Sequence, residues 1–386
     1  MKIAVVGPTY PYRGGIVHYT SLLAFHLGQQ YDMRLYGFQQ QYPNWLFPGR
    51  SQLDPSPKPL VDVEARRWLI PWWPPSWRRV VKDWQIWKPD MVVIQWWVPF
   101  TAPMTAWLID RAHQLGVQVV MICHNVLPHE RSRIDASLIR LALRRADRLI
   151  VHSSADRDRA QTLLPDCSVE VVSMPSYASF QSAGWTRERA RAALKLNGNI
   201  LLFFGLVRPY KGVLDLLESL PQVLSKVDVT LLIVGEIWGK KEIYQDKVKT
   251  LGLLAKVQFI DRYVSNDEVA MYFAATDLAV LPYREATGSA VLQLAFGLGV
   301  PVVATRTGGM SEAIEDGVTG FLVEPGDVDG LARSIHRFFR ENRAAQFRRN
   351  IAHRQNQFDW QCLIDGLSRL NDRSVSKATS LQQPRK

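Results

Sequence analysis

Cysteine is scarce in this 386-residue chain: Cys123, Cys167 and Cys362 lie far apart and are odd in number. That argues against a disulfide framework and a cysteine-based zinc site, and it fits a reducing, cytoplasmic setting. Long apolar runs are lacking too. A spanning helix needs about 18–20 such residues, whereas the longest candidates, 91–94 and 200–207, have strand length. No secretory leader is expected, because Met1-Lys-Ile-Ala-Val-Val-Gly is a short apolar run that enters a glycine loop and reads as a first strand. The G-x-G-x-x-G fingerprint is missing after that strand, and no acid is placed to hold a ribose after the first helix. Both absences weigh against a Rossmann oxidoreductase.

Positive charge and tryptophan are plentiful instead. The net charge is +11, which favours anionic partners such as phosphorylated small molecules or anionic lipid. No nucleic-acid module signature accompanies it, so nucleic acid is not expected as a partner. Ten of the 13 tryptophans fall between Trp45 and Trp107. Within 64–90, EARRWLIPWWPPSWRRVVKDWQIWKPD, tryptophan alternates with arginine and proline. This is a membrane-interface composition, since indole tolerates the headgroup boundary and cations attract anionic lipid. The other reading is a proline-broken loop whose tryptophans pack into the core.

Along the chain, short β-rich runs alternate with helical segments, the signature of parallel α/β architecture. One series of strands is expected at 2–6, 32–38, 91–95, 117–122, 148–151 and 169–172. A second is expected at 200–204, 229–234, 257–260, 278–281, 301–303 and 320–323. Two such series in tandem predict two Rossmann-like domains, 1–178 and 179–345, followed by a helical segment 346–371 and a disordered tail 372–386. In such proteins ligands bind at the carboxyl ends of the strands, here in a cleft that the two domains would face.

Three loops carry candidate chemistry. Gly14 and Gly15 stand between the first strand and a helix, where backbone amides and the helix dipole favour an anion, although a plain βα turn also uses such residues. After 200–204 come Gly205, then Arg208 and Lys211, then Gly212 opening a helix, with no neighbouring acid; this favours phosphate. In Arg284-Glu-Ala-Thr-Gly-Ser-Ala-Val-Leu-Gln, Gly288, Ser289 and Ala290 open the next helix, and Glu285 is either a site carboxylate or a partner of Arg284. Glu236 is either a nucleotide contact or a plain loop acid. His129 and His152 stay open between ligand contact and structural roles. Asp156/Asp158 and Asp327/Asp329 mimic D-x-D pairs, but on a helix residues i and i+2 point apart, so no metal is expected.

Together FFGLVRPYKG (203–212) and the run from Glu285 to Gly308-Gly309-x-x-Glu312, Asp316-Gly317-x-x-Gly320 and Pro325-Gly326-Asp327 resemble the family-four retaining glycosyltransferases of the GT-B fold. The resemblance implies α/β architecture with a C-terminal helix crossing back to the first domain, and sugar transfer from a UDP- or GDP-sugar to a hydroxyl of a glycan or lipid-linked acceptor. It needs no cofactor, the donor being a substrate. Glu285 matches the family's first E-x7-E glutamate on the donor sugar, Lys211 the lysine on the diphosphate, Gly15 the N-terminal glycine near it, and His124 a histidine near sugar and acceptor. Two departures stand out: Gln293 replaces the second glutamate, and Leu206 replaces an arginine whose guanidinium Arg208 would supply. A nucleotide-sugar epimerase of the same fold and a non-catalytic sugar-nucleotide binder are the alternatives. The expected location is the cytoplasm, with peripheral contact to an anionic membrane face.

Overall fold

The computed structural model describes residues 1–381 except Asn44, Leu46, Pro48 and 127–132, with no side chains described for 133, 134, 182, 183 and 371–381. It divides into two units, one of Met1–Phe47, Val61–Ser173 and Asp359–Lys386, the other of Pro48–Leu60 and Met174–Phe358.

The first unit is wound around a seven-stranded sheet of order β3-β2-β1-β4-β5-β6-β7, every pairing parallel. In chain order its elements are β1 (Lys2–Val6), α1 (Gly15–Gly28), β2 (Asp32–Phe38), β3 (Ala65–Leu69), α2 (Pro74–Trp87), β4 (Met91–Trp96), α3 (Ala102–Gln114), β5 (Gln118–Cys123), α4 (Arg133–Leu143), β6 (Arg148–Val151), α5 (Ser154–Leu163) and β7 (Val169–Val171). Val, Ile and Met fill β4 and β5, whose residues are buried almost throughout. That is what a parallel sheet covered on both faces requires.

Residues 64–90 are not a proline-broken loop. They form β3 and the helix α2, with Pro74 and Pro75 in the first two helical positions, where a missing N–H costs nothing. Trp77, Val80, Val81, Trp84 and Trp87 follow at helical spacing and are buried. The helix therefore holds all three of its tryptophans in the core. Trp45, Trp72 and Trp73 remain exposed.

The second unit carries a six-stranded parallel sheet of order β10-β9-β8-β11-β12-β13. Its elements are α6 (Arg187–Leu194), β8 (Asn199–Phe204), α7 (Val213–Leu224), β9 (Val229–Val234), α8 (Glu242–Thr250), β10 (Val257–Ile260), α9 (Asn266–Ala275), β11 (Leu278–Leu281), α10 (Ala290–Gly297), β12 (Val302–Thr305), α11 (Met310–Ala313), β13 (Gly320–Val323), α12 (Val328–Arg340) and α13 (Ala344–Arg354). Helix starts follow capping chemistry: the side chains of Thr186, Ser265, Ser289 and Asp327 each accept a first-turn amide.

Two stretches join the unit that their place in the chain would not suggest. Residues 48–60 belong to the second unit: Arg50 pairs with Asp261 at 2.6 Å, and Ser56 Oγ accepts from the Asn266 amide at 2.9 Å. The expected helical segment 346–371 is instead α13 in the second unit and α14 (Trp360–Leu381) in the first. α14 packs on α1, where Trp360 stacks on His26 at 5.5 Å and Tyr31 Oη meets Ser368 Oγ at 2.5 Å. It also runs past the expected end at 371, because no glycine or proline occurs between 372 and 381 to stop it.

Candidate active site

In the second unit, two loops at the carboxyl ends of β8 and β11 are stitched together. The Arg284 amide donates to Tyr210 O at 2.7 Å. Gly212 has φ +67°, and a Cβ there would lie 1.8 Å from Pro282 O. No side chain other than hydrogen fits this approach. The 307–309 loop closes on the same place: Gly309 N donates to Thr287 O at 2.7 Å.

Lys211 sits at the centre. Its Nζ donates to Tyr283 Oη at 3.0 Å and lies 4.3 Å from that ring's centroid. A Cβ on Gly205 would come within 3.7 Å of the same nitrogen. Burial pulls the Lys211 pKa below the usual lysine range; the Arg208 charge adds to this and Tyr210 opposes it. Arg208 lies over the Trp238 ring at 4.2 Å. Among the described residues neither cation has an acidic partner. Their neighbour Arg284 does: it grips the buried carboxylate of Asp215 with two bonds of 2.9 and 2.6 Å.

That pairing overturns the reading of Glu285 as a partner of Arg284. Asp215 takes the guanidinium, and Glu285 is exposed with no hydrogen bond among the described residues. Ser289 caps α10 by accepting from Leu292 N at 3.1 Å. Ala290 opens this helix, and Gly288 precedes the cap with a would-be Cβ 3.1 Å from Met174 Cε. One turn on, Gln293 is only 3% exposed, and its side-chain oxygen has no hydrogen-bond partner among the described residues. Glu236, at the end of β9, is buried and accepts the Arg50 amide at 2.7 Å, a contact contributed by the 48–60 stretch that sequence reasoning did not place here.

In the first unit Gly14 caps α1 with φ +120°, and α1 has no acid in its first turn. Gly15 is the helix's first residue. His124 follows β5 and is buried; its Nε2 meets Gln95 Oε1 at 2.7 Å, and its ring lies edge-on to Tyr19 at 4.5 Å. His152 follows β6 and turns Nδ1 to Val172 O at 2.8 Å. His129 lies outside the described residues. Asp156 and Asp158 have different surroundings: Asp156 is buried and accepts from Ser153 Oγ at 2.8 Å, while Asp158 pairs with Arg157 at the surface. Asp327 serves as the α12 cap. Sequence reasoning missed Gln95, Tyr283 and Asp215; only Asp215 left a signal, as an acid in the first turn after Gly212.

Residues 13–175 match the model described as Glycosyltransferase Family 4, and residues 198–341 the model described as Glycosyl transferases group 1. A D-inositol 3-phosphate glycosyltransferase of Corynebacterium efficiens is 28% identical over 244 residues, covering 61% of this chain and 54% of that protein. The chain spans about half the length of the curated relatives it matches. Among solved structures, sucrose-phosphate synthase from Thermosynechococcus elongatus aligns with a TM-score of 0.74 at 17% identity, over 97% of this chain and 99% of that one. Anabaena HepE in complex with UDP and glucose aligns with a TM-score of 0.70 at 20% identity, over 98% and 100%. With two family models that together take in well over half of its residues, and with two parallel-sheet Rossmann-like units, the chain belongs to glycosyltransferase family 4 and has the GT-B fold.

Proposed function

We propose that this protein is a glycosyltransferase. It moves a sugar from a UDP- or GDP-sugar to a hydroxyl of a lipid-linked or polysaccharide acceptor, with retention of configuration and without a metal. The observation that carries this reading is the pair Lys211 and Arg208. Both are held at the end of β8 without an acid partner among the described residues, in a protein whose neighbouring Arg284 is fully paired. Unneutralised cations in a partly desolvated loop hold free energy that an arriving diphosphate releases.

Breaking the anomeric bond places negative charge on the leaving diphosphate and positive charge on the sugar carbon. Lys211, Arg208 and the first-turn amides of α10 stabilise the former; fixed donors of this kind contribute most where charge develops. Glu285 orients the sugar hydroxyls and supports the developing cation, and the departing phosphate takes the acceptor's proton. Gln293 accepts from a ribose hydroxyl through its orphaned oxygen, which gives that atom the partner it lacks. That a structural neighbour is held in complex with UDP and glucose is in keeping with such a donor, while a relative is named for D-inositol 3-phosphate, a small hydroxyl-bearing molecule.

Exposed Trp72 and Trp73 precede a helix whose outward face carries Arg78, Arg79 and Lys82, which supports peripheral contact with anionic lipid. No helix among the described residues is long and apolar enough to cross a membrane. The test of the main reading mixes purified protein with UDP- and GDP-sugars, with and without membrane lipid extract, and follows nucleoside diphosphate release. Acceptor-dependent release supports transfer, an isomerised donor supports the epimerase, and tight binding without turnover supports a binding protein.

A further inference from the structure

Three polar side chains stand at the carboxyl ends of three adjacent strands in the first unit. Gln95 is the penultimate residue of β4, and His124 and His152 directly follow β5 and β6. The register makes them neighbours: Gln95 lies opposite Ile122, Ile122 opposite Ile150, and the His124 amide bonds Trp96 O at 2.9 Å. Tyr19 from α1 covers both imidazoles, with centroids 4.5 Å from His124 and 5.4 Å from His152, and the imidazoles themselves are 5.9 Å apart.

Hydrogen-bond bookkeeping fixes what each ring presents. A carbonyl oxygen only accepts, so the contact with Val172 O puts the His152 proton on Nδ1 and leaves Nε2 with a bare lone pair. By the same rule His124 donates through Nε2 to Gln95 Oε1, which leaves the Gln95 amide nitrogen to find an acceptor elsewhere. Neither atom finds one: His152 Nε2 and Gln95 Nε2 are both buried without a partner among the described residues. Exposure of the parent residues is 8% and 2%. Two orphaned groups in a cluster this small call for an occupant.

We infer that Gln95 and His152 form a sugar-hydroxyl site in the first unit, in which one hydroxyl donates to His152 Nε2 and it or its neighbour on the ring accepts from Gln95 Nε2. The pair offers one acceptor lone pair and the two N–H donors of one amide nitrogen, and no net charge. A vicinal diol matches that, whereas a phosphate or carboxylate would meet the imidazole lone pair, and a cation would meet the amide protons. Burial reinforces the choice, because it holds the His152 pKa down to about 4 and the ring stays neutral at pH 7. The inference rests on the glycosyltransferase reading in one respect, that the bound sugar is the acceptor.

The test uses full-length protein labelled with ¹⁵N only at histidine. The His152 Nε2 signal is identified as the one missing from His152→Gln. D-glucose, D-galactose, D-mannose and N-acetyl-D-glucosamine are titrated in turn, and UDP binding is measured separately by calorimetry. At least one sugar is expected to move the Nε2 signal from that of a free lone pair toward that of a hydrogen-bonded one. Gln95→Leu is expected to weaken this response about tenfold, the equivalent of one good hydrogen bond, while UDP affinity stays within twofold of wild type and the melt falls by several degrees because His124 Nε2–H loses its acceptor. A signal that no sugar moves overturns the inference, as does one already hydrogen-bonded in buffer and unchanged by sugar, which would mean buried water only. An equal response in Gln95→Leu removes Gln95 from the site. Failure to bind UDP would instead sink the donor reading and leave the His152 result to stand by itself.

Discussion

Replacing Lys211 with Met separates what the ammonium does for catalysis from what it does for the fold. The methionine keeps the length and apolar bulk of the stem. Stability loses a 3.0 Å hydrogen bond to Tyr283 Oη and a cation–π contact at 4.3 Å, about 1 kcal/mol each. Against this stands the burial that depresses the lysine's pKa. A folded-state pKa below 10.5 means that the unfolded chain binds the proton more tightly, so the charge in place works against folding at neutral pH. The two effects oppose each other, and the melting temperature should move by no more than about 2–4 °C, the equivalent of about 1 kcal/mol in a chain of this size. Catalysis has no such offset. Removing one preorganised donor from a developing anion costs about 10²–10³ in rate, roughly 3–4 kcal/mol. Nucleoside diphosphate release, with a melt on the same sample, reads both. Near-normal release by Lys211→Met would refute the site, and a melt lowered as far as the rate would show a structural role only.

Three further outcomes are expected. Gln293→Leu should leave the melt unchanged or slightly higher, because it removes a buried oxygen without a partner, while weakening UDP binding about tenfold by calorimetry; unchanged affinity would take Gln293 out of the donor site. Trp72→Ser combined with Trp73→Ser should abolish flotation with anionic liposomes but leave the melt intact, whereas Trp84→Ala, in the core, should cost about 3–5 kcal/mol. Acidification should destabilise the protein between pH 6.5 and about 4, because His152 takes its proton near 6.5 when unfolded and only near 4 when folded. Fully expressed, this amounts to about 3 kcal/mol. His124, pushed down by burial and by the His152 charge, adds in the same sense. A urea midpoint that is flat over this range, or equally steep in His152→Gln, would contradict the buried neutral ring.

Much of the second unit could be read from residues alone, because its signals are local. A buried run ending in Gly205 and followed by Arg208 and Lys211 needs no partner from elsewhere to declare a strand, a turn and a phosphate-sized charge. What stayed hidden depends on distant pairing. Glu285 could not be separated from Arg284 until Asp215, 69 positions from the arginine, was seen to take the guanidinium. The orphaned atoms of Gln95 and His152 exist only because β4, β5 and β6 align in register, a property no single stretch encodes. The helix α2 was legible and misread: its prolines mark a beginning, and its apolar residues at helical spacing said so.

The course of the backbone has its own consequence. Residues 48–60 leave the first unit to brace the second, and the last helix comes home to the first only after the second is complete. Neither half can be excised as one continuous fragment, and expression of 1–178 alone would strand α1 without its cover. On the ribosome, the portion made first is the one finished last.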